Sequence, residues 1–182
     1  MSNRLNDPLL LFGKGFTFFF QGLFALIGVA AGLLIPVAIL ASQDMLPGSL
    51  GLNDGELIEA SAISVLSIAV LLLAIAAAMI LFFGKMRAII RTVGEGDPFI
   101  PENAQRLNTM AWLLLGAQVF AVCVGALRFY LANAVADATT GQETLDLSIS
   151  DFSGLIMAAI LFILARVFRH GAAMREDLEG TV

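Results

Sequence analysis

The sequence predicts an all-α integral membrane protein, a bundle of four transmembrane helices with both termini in the cytoplasm. Of its 182 residues, 59% are hydrophobic and 14% are charged, whereas soluble domains have about 45–50% apolar and about 25% charged residues. The apolar residues are grouped in four blocks, and a helix needs roughly 20 of them to cross the hydrocarbon core. The connections between the blocks alternate between those with and those without Lys and Arg. These observations exclude an ordinary soluble domain.

The positions of Lys and Arg predict the orientation of the four spans. The connections at residues 42–60 and 134–151 contain Asp and Glu but neither Lys nor Arg. Most of the basic residues lie before the first block, between the second and third, or after the fourth: Arg4, Lys14, Lys85, Arg87, Arg91, Arg106, Arg166, Arg169 and Arg175. Short loops rich in Lys and Arg stay cytoplasmic. The basic connections can all be cytoplasmic, and the two connections without Lys and Arg external, only if each of the four blocks spans the membrane. The inner rim is then basic enough to lie against anionic lipid.

The first predicted span covers residues 16–41. Its apolar block is too long for the core of a signal peptide, so we expect an uncleaved anchor. Residues 1–15 are predicted to form a short interfacial segment before it. Gly28 and Gly32 form a G-x-x-x-G pair, which lets another backbone approach closely, either within the monomer or in a homo-oligomer.

The second predicted span covers residues 61–84. It begins with Ser61, Ser64 and Ser67, whose spacing of three places the hydroxyls along one side of a helix. That side either packs against protein or faces a water-filled vestibule.

The third predicted span covers residues 109–134. Trp112 and Tyr130 are 18 residues apart in the sequence, or roughly 27 Å along a helix, and are typical of the aromatic belts at the two membrane interfaces. Arg128 is the basic residue that falls in the outer half, where a cation requires an acidic partner. We expect an outer-rim ion pair with an acidic residue of the following loop, such as Asp151. An anion or ligand contact is the alternative.

The fourth predicted span covers residues 152–168, although its uncharged core is short. Arg166 and Arg169 can extend their charged ends to the inner headgroups, which lengthens the helix beyond that core. The tail at residues 169–182 has weakly apolar positions at helical spacing, so a helical extension is expected. The whole chain is interpreted as one membrane domain.

Residues 85–108 form the predicted cytoplasmic connection between the second and third spans, which we call the elbow. Its run from Gly94 to Pro98 should end a helix, since glycine weakens helices and the residue before proline avoids the α-helical conformation. Pro101 suits the first position of a new helix, and Glu102 interacts favourably with its dipole. The elbow is therefore predicted to be helix, break and helix.

The sequence gives no sign of enzymatic chemistry, and we expect no cofactor. No phosphate-binding loop, zinc-protease, serine-hydrolase or dithiol motif is present. Cys123 is the single cysteine, so a cysteine-based zinc site is not expected. His170 is the single histidine and is interpreted as an ordinary interfacial residue. Gln118 and the serines of the second span are the polar groups within the membrane, which argues against ion-coupled transport.

Two segments resemble a known family. The stretch GDPFIPENAQRLNTMAW in the elbow and the terminal run FILARVFRHGAAMREDLEGTV are similar to the bacterial four-span family numbered 2975 among the domains of unknown function. The resemblance extends over nearly the whole chain and implies an inner-membrane protein without assigned catalytic residues. Genes of that family often lie beside one for a small helix-turn-helix DNA-binding regulator, which implies a membrane protein that holds such a regulator. Gln105 and Asn108 depart from the family, where Arg is common.

Three functional hypotheses follow. The first is a regulatory scaffold that binds a small cytosolic helix-turn-helix protein through the elbow and tail, without contacting nucleic acid itself. Its expected contact residues are Asp97, Pro98, Phe99, Pro101, Glu102, Asn103, Arg106, Arg166, Arg169 and Arg175. The second is an accessory subunit of a larger membrane complex. The third is an oligomeric channel or transporter that uses the serine line and Gln118.

Overall fold

The computed structural model describes residues 8–42, 55–136 and 153–179, and these residues form four helices connected in part by the ordered elbow. The helices are α1 (Pro8–Ser42), α2 (Gly55–Gly94), α3 (Pro101–Ala136) and α4 (Ser153–Glu179). Each contains a stretch that is long and apolar enough to cross a membrane. The predicted all-α class and the four membrane-length helices are therefore confirmed, and the chain is a multi-pass membrane protein. Its orientation stays a prediction.

The helices are longer than the predicted spans. α2 contains 40 residues and is therefore about 60 Å long, twice the thickness of the hydrocarbon core. It continues through residues 85–94 of the elbow. Likewise, α4 continues through the tail to Glu179, which confirms the predicted helical extension. Residues 8–15 are the first turns of α1 rather than a separate interfacial segment.

Neighbouring helices pack antiparallel. In the α1–α2 pair, a Cβ atom built on Gly13 would lie 3.2 Å from Ile90, and one built on Gly28 would lie 3.3 Å from Ala76. In the α3–α4 pair, Trp112 lies against Phe162 with ring centroids 5.3 Å apart, and further along α3 the Gln118 side chain lies against Gly154. The α1 N-terminus, the elbow and the α4 C-terminus consequently lie at one end of the molecule, which we call the elbow end.

The four helices form an open row. Extensive contacts join α1 to α2, α2 to α3, and α3 to α4, within the residues that the structure describes. A closed four-helix bundle would add a comparable contact between α1 and α4. The predicted bundle is therefore better described as a row whose two edges are α1 and α4.

The main hydrophobic core lies towards the elbow end, around the first third of α3. Leu107, Met110 and Ala111 pack there against Leu161 and Ala165 of α4. Large side chains of α2 cover this cluster on its other side: Phe82, Met86 and Ile89. The core therefore lies directly next to the elbow and supports it.

Candidate functional site

The elbow begins with a specific helix-ending turn. Gly96 has a φ of 89°, in the left-handed region that glycine adopts without steric cost. The backbone N–H of Gly96 donates to the carbonyl of Val93 over 3.1 Å, and that of Asp97 donates to the carbonyl of Thr92 over 3.1 Å. These two bonds make a Schellman motif, which satisfies carbonyls that a helix end leaves unpaired. The predicted break in the elbow is confirmed at this turn.

The next helix begins at Pro101, the position that the sequence predicts. Proline suits this site because its missing N–H would have no partner in the first turn of a helix. The backbone N–H of Asn103 donates to the carbonyl of Ile100 over 3.0 Å, which closes that turn. Only residues 95–100 separate α2 from α3, so the elbow is a short ordered connection.

The Asn103 side chain holds the elbow together. It is 0% exposed, and its amide nitrogen donates to the Thr92 hydroxyl over 2.8 Å and to the carbonyl of Pro98 over 2.9 Å. Its amide oxygen accepts a hydrogen bond from Arg106 over 2.7 Å. One buried amide therefore joins the end of α2, the connecting segment and the start of α3.

The elbow also docks on the tail half of α4. The Phe99 ring lies 5.1 Å from the Phe168 ring, measured between centroids. A Cβ atom built on Gly171 would lie only 2.8 Å from the Phe99 ring, so the absence of a side chain at Gly171 makes room for Phe99. Asp97 pairs with Arg175 beside this contact. The structure thus brings together the two segments that resemble the family, and residues 97–106 and 166–178 form what we call the elbow–tail surface.

The predicted contact residues occupy different positions within this surface. Asn103 is buried, so it can support the surface but does not present its side chain to a partner. Asp97, Pro98 and Arg106 are partly buried, and the last is bonded to Asn103. The exposed members are Phe99, Pro101, Glu102, Arg166, Arg169 and Arg175.

A cleft of about 580 Å³ lies beside the elbow–tail surface, between α3 and α4. Its polar lining residues are Arg166, Arg169, His170 and Asn108, and its apolar ones are Phe162, Ala165 and Ala173. The two arginines are exposed. Its lining suits an acidic side chain or another anion, because it combines two cations with polar donors.

The other predicted polar groups lie away from the elbow end. Arg128 is exposed, while Asp151, its predicted partner, falls outside the described residues. Ser64 is buried, and the Ser67 hydroxyl donates to the carbonyl of Ile63 in its own helix over 2.8 Å. Within residues 8–42, 55–136 and 153–179, no group of three His, Cys, Asp or Glu residues could hold a metal ion.

Sequence reasoning missed three residues that build the site: Thr92, Phe168 and Gly171. Gly171 carried a usable signal, because a glycine inside a helix costs stability and suggests close approach of another group. Thr92 and Phe168 carried none, since threonines and phenylalanines are common in helices of this kind. Their roles depend on which helices become neighbours.

Comparison with known proteins identifies a family without an assigned activity. The family model described as protein of unknown function (DUF2975) matches residues 29–182, a range that includes the whole elbow–tail surface. No curated protein and no solved structure matches the chain.

Proposed function

The chain belongs to the DUF2975 family, and from that premise we propose that it is a non-enzymatic regulatory scaffold of the bacterial inner membrane. In this proposal both termini and the elbow lie in the cytoplasm, because Lys and Arg are concentrated at that end. The elbow–tail surface binds a small helix-turn-helix regulator and keeps it at the membrane. DNA contact belongs to the regulator and not to this chain.

The docking of the elbow on α4 is the observation that carries this proposal. The Phe99–Phe168 contact and the Asp97–Arg175 pair join two segments that are about 70 residues apart in the sequence. A loop whose only role is to set the orientation of the helices in the membrane needs no such connection, because its positive charge alone keeps it on the cytoplasmic side. A fixed shape assembled from two segments is instead what recognition of a folded partner requires, since a preorganised surface loses little entropy on binding.

The exposed charges of this surface suit a folded protein partner. Glu102 lies in the first turn of α3, while Arg166 and Arg169 lie on α4 and line the cleft between α3 and α4. Both signs are present, so complementary pairing can fix the orientation of the partner. The exposed ring of Phe99, 43% accessible, supplies an aromatic group of the kind that is enriched at interfaces.

Affinity purification of the tagged protein from its native membrane tests the proposal. The informative variant is Glu102→Ala, Arg166→Ala and Arg169→Ala, because these side chains are exposed and lie outside the Asn103 network. We expect a helix-turn-helix protein to co-purify with the wild type and to be lost from the variant, while the amount of membrane-inserted protein is unchanged.

The matched control removes the same numbers of positive and negative charges from the same end of the molecule. Lys85→Ala, Arg91→Ala and Glu95→Ala does so outside the elbow–tail surface, and we expect it to retain the partner. Equal recovery from both triple variants, or no helix-turn-helix protein with the wild type, contradicts the proposal.

The open row of helices favours a second candidate, an accessory subunit of a larger membrane complex. The outer parts of α1 carry large exposed apolar side chains, such as Leu26, Val29 and Leu33. On α3, a Cβ atom at Gly125 would meet nothing within 4 Å, which leaves room for another helix to approach. Co-purification with large membrane subunits, unaffected by the Glu102, Arg166 and Arg169 changes, would favour this candidate over the scaffold.

A further inference from the structure

A second cleft at the elbow end lies between α1 and α2, and none of its lining residues belongs to the elbow–tail surface. Its volume is about 680 Å³, and it is lined by two glycines, an alanine, an aromatic ring and three cations: Gly15, Gly84, Ala88, Phe18, Lys14, Arg87 and Arg91. This combination of charged and apolar lining is the feature that needs an explanation.

The three cations surround one opening. Arg87 and Arg91 are four residues apart on α2, so they lie on the same side of that helix. Gly13 of α1 lies against Ile90, which places the neighbouring Lys14 at the level of the turn that carries both arginines. Two helices thus contribute positive charge to one place.

Most of this charge is not neutralised by the residues that the structure describes. Arg91 lies 3.6 Å from Glu95, and both side chains of this pair are largely exposed, so the pair is weak. Lys14 and Arg87 form no ion pair with any residue in the described part of the chain. An anionic group entering the cleft would therefore meet two free cations and a third that is only loosely paired.

Phe18 and Gly84 of the lining lie on the membrane side of the cations. Phe18 follows Lys14 by one helical turn and is 70% exposed, while Gly84 precedes Arg87 by about one turn on α2. A Cβ atom built on Gly15 would meet nothing within 4 Å, so the space between the two helices is open. The charges are at the rim, and Phe18 and Gly84 extend the lining by about one helical turn towards the middle of α1 and α2.

We propose that this cleft binds an anionic phospholipid. The phosphate of the headgroup lies among Lys14, Arg87 and Arg91, and an acyl chain follows the groove past Phe18. A phospholipid matches the order of the lining along the membrane normal. Its negative charge lies at the interface, where the cations are, and its hydrocarbon chains lie deeper in the membrane. A soluble phosphate compound shares the headgroup chemistry but has no part that would occupy the apolar groove.

Native mass spectrometry of the full-length protein tests the proposal. The protein is equilibrated in detergent with equal amounts of phosphatidylglycerol and phosphatidylcholine that carry the same acyl chains. We expect phosphatidylglycerol to be retained in preference. Since each cation near an anionic lipid contributes roughly a fivefold gain in binding, Lys14→Gln with Arg87→Gln should reduce that retention roughly 25-fold.

Two further variants separate a defined site from diffuse charge. Lys85→Gln removes one positive charge two residues from Arg87, but Lys85 does not line the cleft, so retention should stay at the wild-type level while Arg87→Gln alone loses it roughly fivefold. Gly15→Leu keeps every charge and adds a bulky side chain to the cleft lining at a position where a Cβ atom would meet nothing within 4 Å. It also replaces a helical glycine with a better helix former, so folding is preserved, and it should abolish the preference.

Equal losses for Lys85→Gln and Arg87→Gln, or full retention by Gly15→Leu, overturn the site. Displacement of the lipid by excess inorganic phosphate, together with no effect of Phe18→Ala, would assign the cleft to a soluble anion and overturn the lipid proposal. These results do not depend on whether the elbow–tail surface binds a regulator, because none of the changed residues belongs to it.

Discussion

The two halves of the helix row are packed in different ways. In the elbow half (residues 8–25, 79–114 and 158–179) the buried residues include large side chains such as Phe83, Leu107 and Met110. In the far half (residues 26–42, 55–78, 115–136 and 153–157) the buried residues that the structure describes are all small: Ala31, Ala38, Ser64, Ala69, Ala76 and Ala117.

The elbow half also contains a buried polar network. This is the Asn103 network, in which one side-chain hydrogen bond crosses from α3 to Thr92 of α2, a second reaches the carbonyl of Pro98 in the connecting segment, and a third joins Arg106 to Asn103 within α3. In the far half, the Ser67 and Asn133 side chains bond to carbonyls of their own helices. Small residues let helices approach closely inside lipid, whereas a buried hydrogen-bonded network specifies one arrangement. The far half is therefore built mainly to span, and the elbow half to hold a defined shape.

The largest expected effect comes from removing the centre of the polar network. Asn103→Ala leaves the Pro98 carbonyl, the Thr92 hydroxyl and the Arg106 guanidinium without a shared partner, which should cost about 2–4 kcal/mol. The far-half counterpart, Ser67→Ala, removes only a bond within one helix and should change stability by less than about 0.5 kcal/mol. Unfolding curves of both variants in the same detergent measure the difference, and similar costs would remove the distinction between the halves.

A glycine comparison should give effects of opposite sign. At Gly171 an added Cβ atom would lie 2.8 Å from the Phe99 ring, so Gly171→Ala should destabilise by about 1–2 kcal/mol through overpacking. At Gly125 it would meet nothing within 4 Å, so Gly125→Ala should stabilise the helix by up to about 1 kcal/mol. Thermal unfolding of the two variants makes this comparison.

A double variant tests whether contact with the Phe99 ring is what makes Gly171→Ala destabilising. In a Phe99→Ala background, Gly171→Ala should no longer destabilise, because the ring that it would strike is absent. If the cost at Gly171 persists without the ring, the elbow does not dock on α4 through Phe99.

Among the contacts of the elbow, the smallest expected effect is on the ion pair between the elbow and the tail. The side chains of Asp97 and Arg175 are 40% and 47% exposed, so solvent screens the pair and Asp97→Asn should cost less than about 1 kcal/mol. Exchanging the two residues, Asp97→Arg with Arg175→Asp, should recover part of that cost at low salt. An effect as large as that of Asn103→Ala would show that the pair, and not the amide network, fixes the elbow.

The sequence predicted the elements of this fold well because each has a local cause. Uninterrupted apolar blocks indicate membrane-length helices, and the Gly94–Pro98 run with Pro101 indicates where one helix ends and the next begins. The contact between the two family-like segments was only partly predictable. Their location at the same end of the molecule followed from the charge pattern, but the Phe99–Gly171 contact depends on α3 and α4 being neighbours.

The role of Asn103 could not be read from the sequence. It was grouped with Glu102 and Arg106 as a surface residue, because asparagine at the start of a helix is usually exposed and polar. Its burial results from the position of Thr92 and from the path of the chain at Pro98, both of which are set by tertiary packing. The open row, similarly, depends on which helices pack against each other, and the composition of a single helix does not reveal this.

The most direct test of the elbow–tail surface is site-specific photocrosslinking in the native membrane. A photoreactive residue is placed at Glu102 or at Arg169, which come from the two segments of the surface, and at Arg128 in the far half as a control. We expect the same small helix-turn-helix protein to be crosslinked from Glu102 and from Arg169, and not from Arg128. Crosslinks from Glu102 and Arg169 to different proteins, or to no soluble protein at all, would contradict a single recognition surface built from the elbow and the tail.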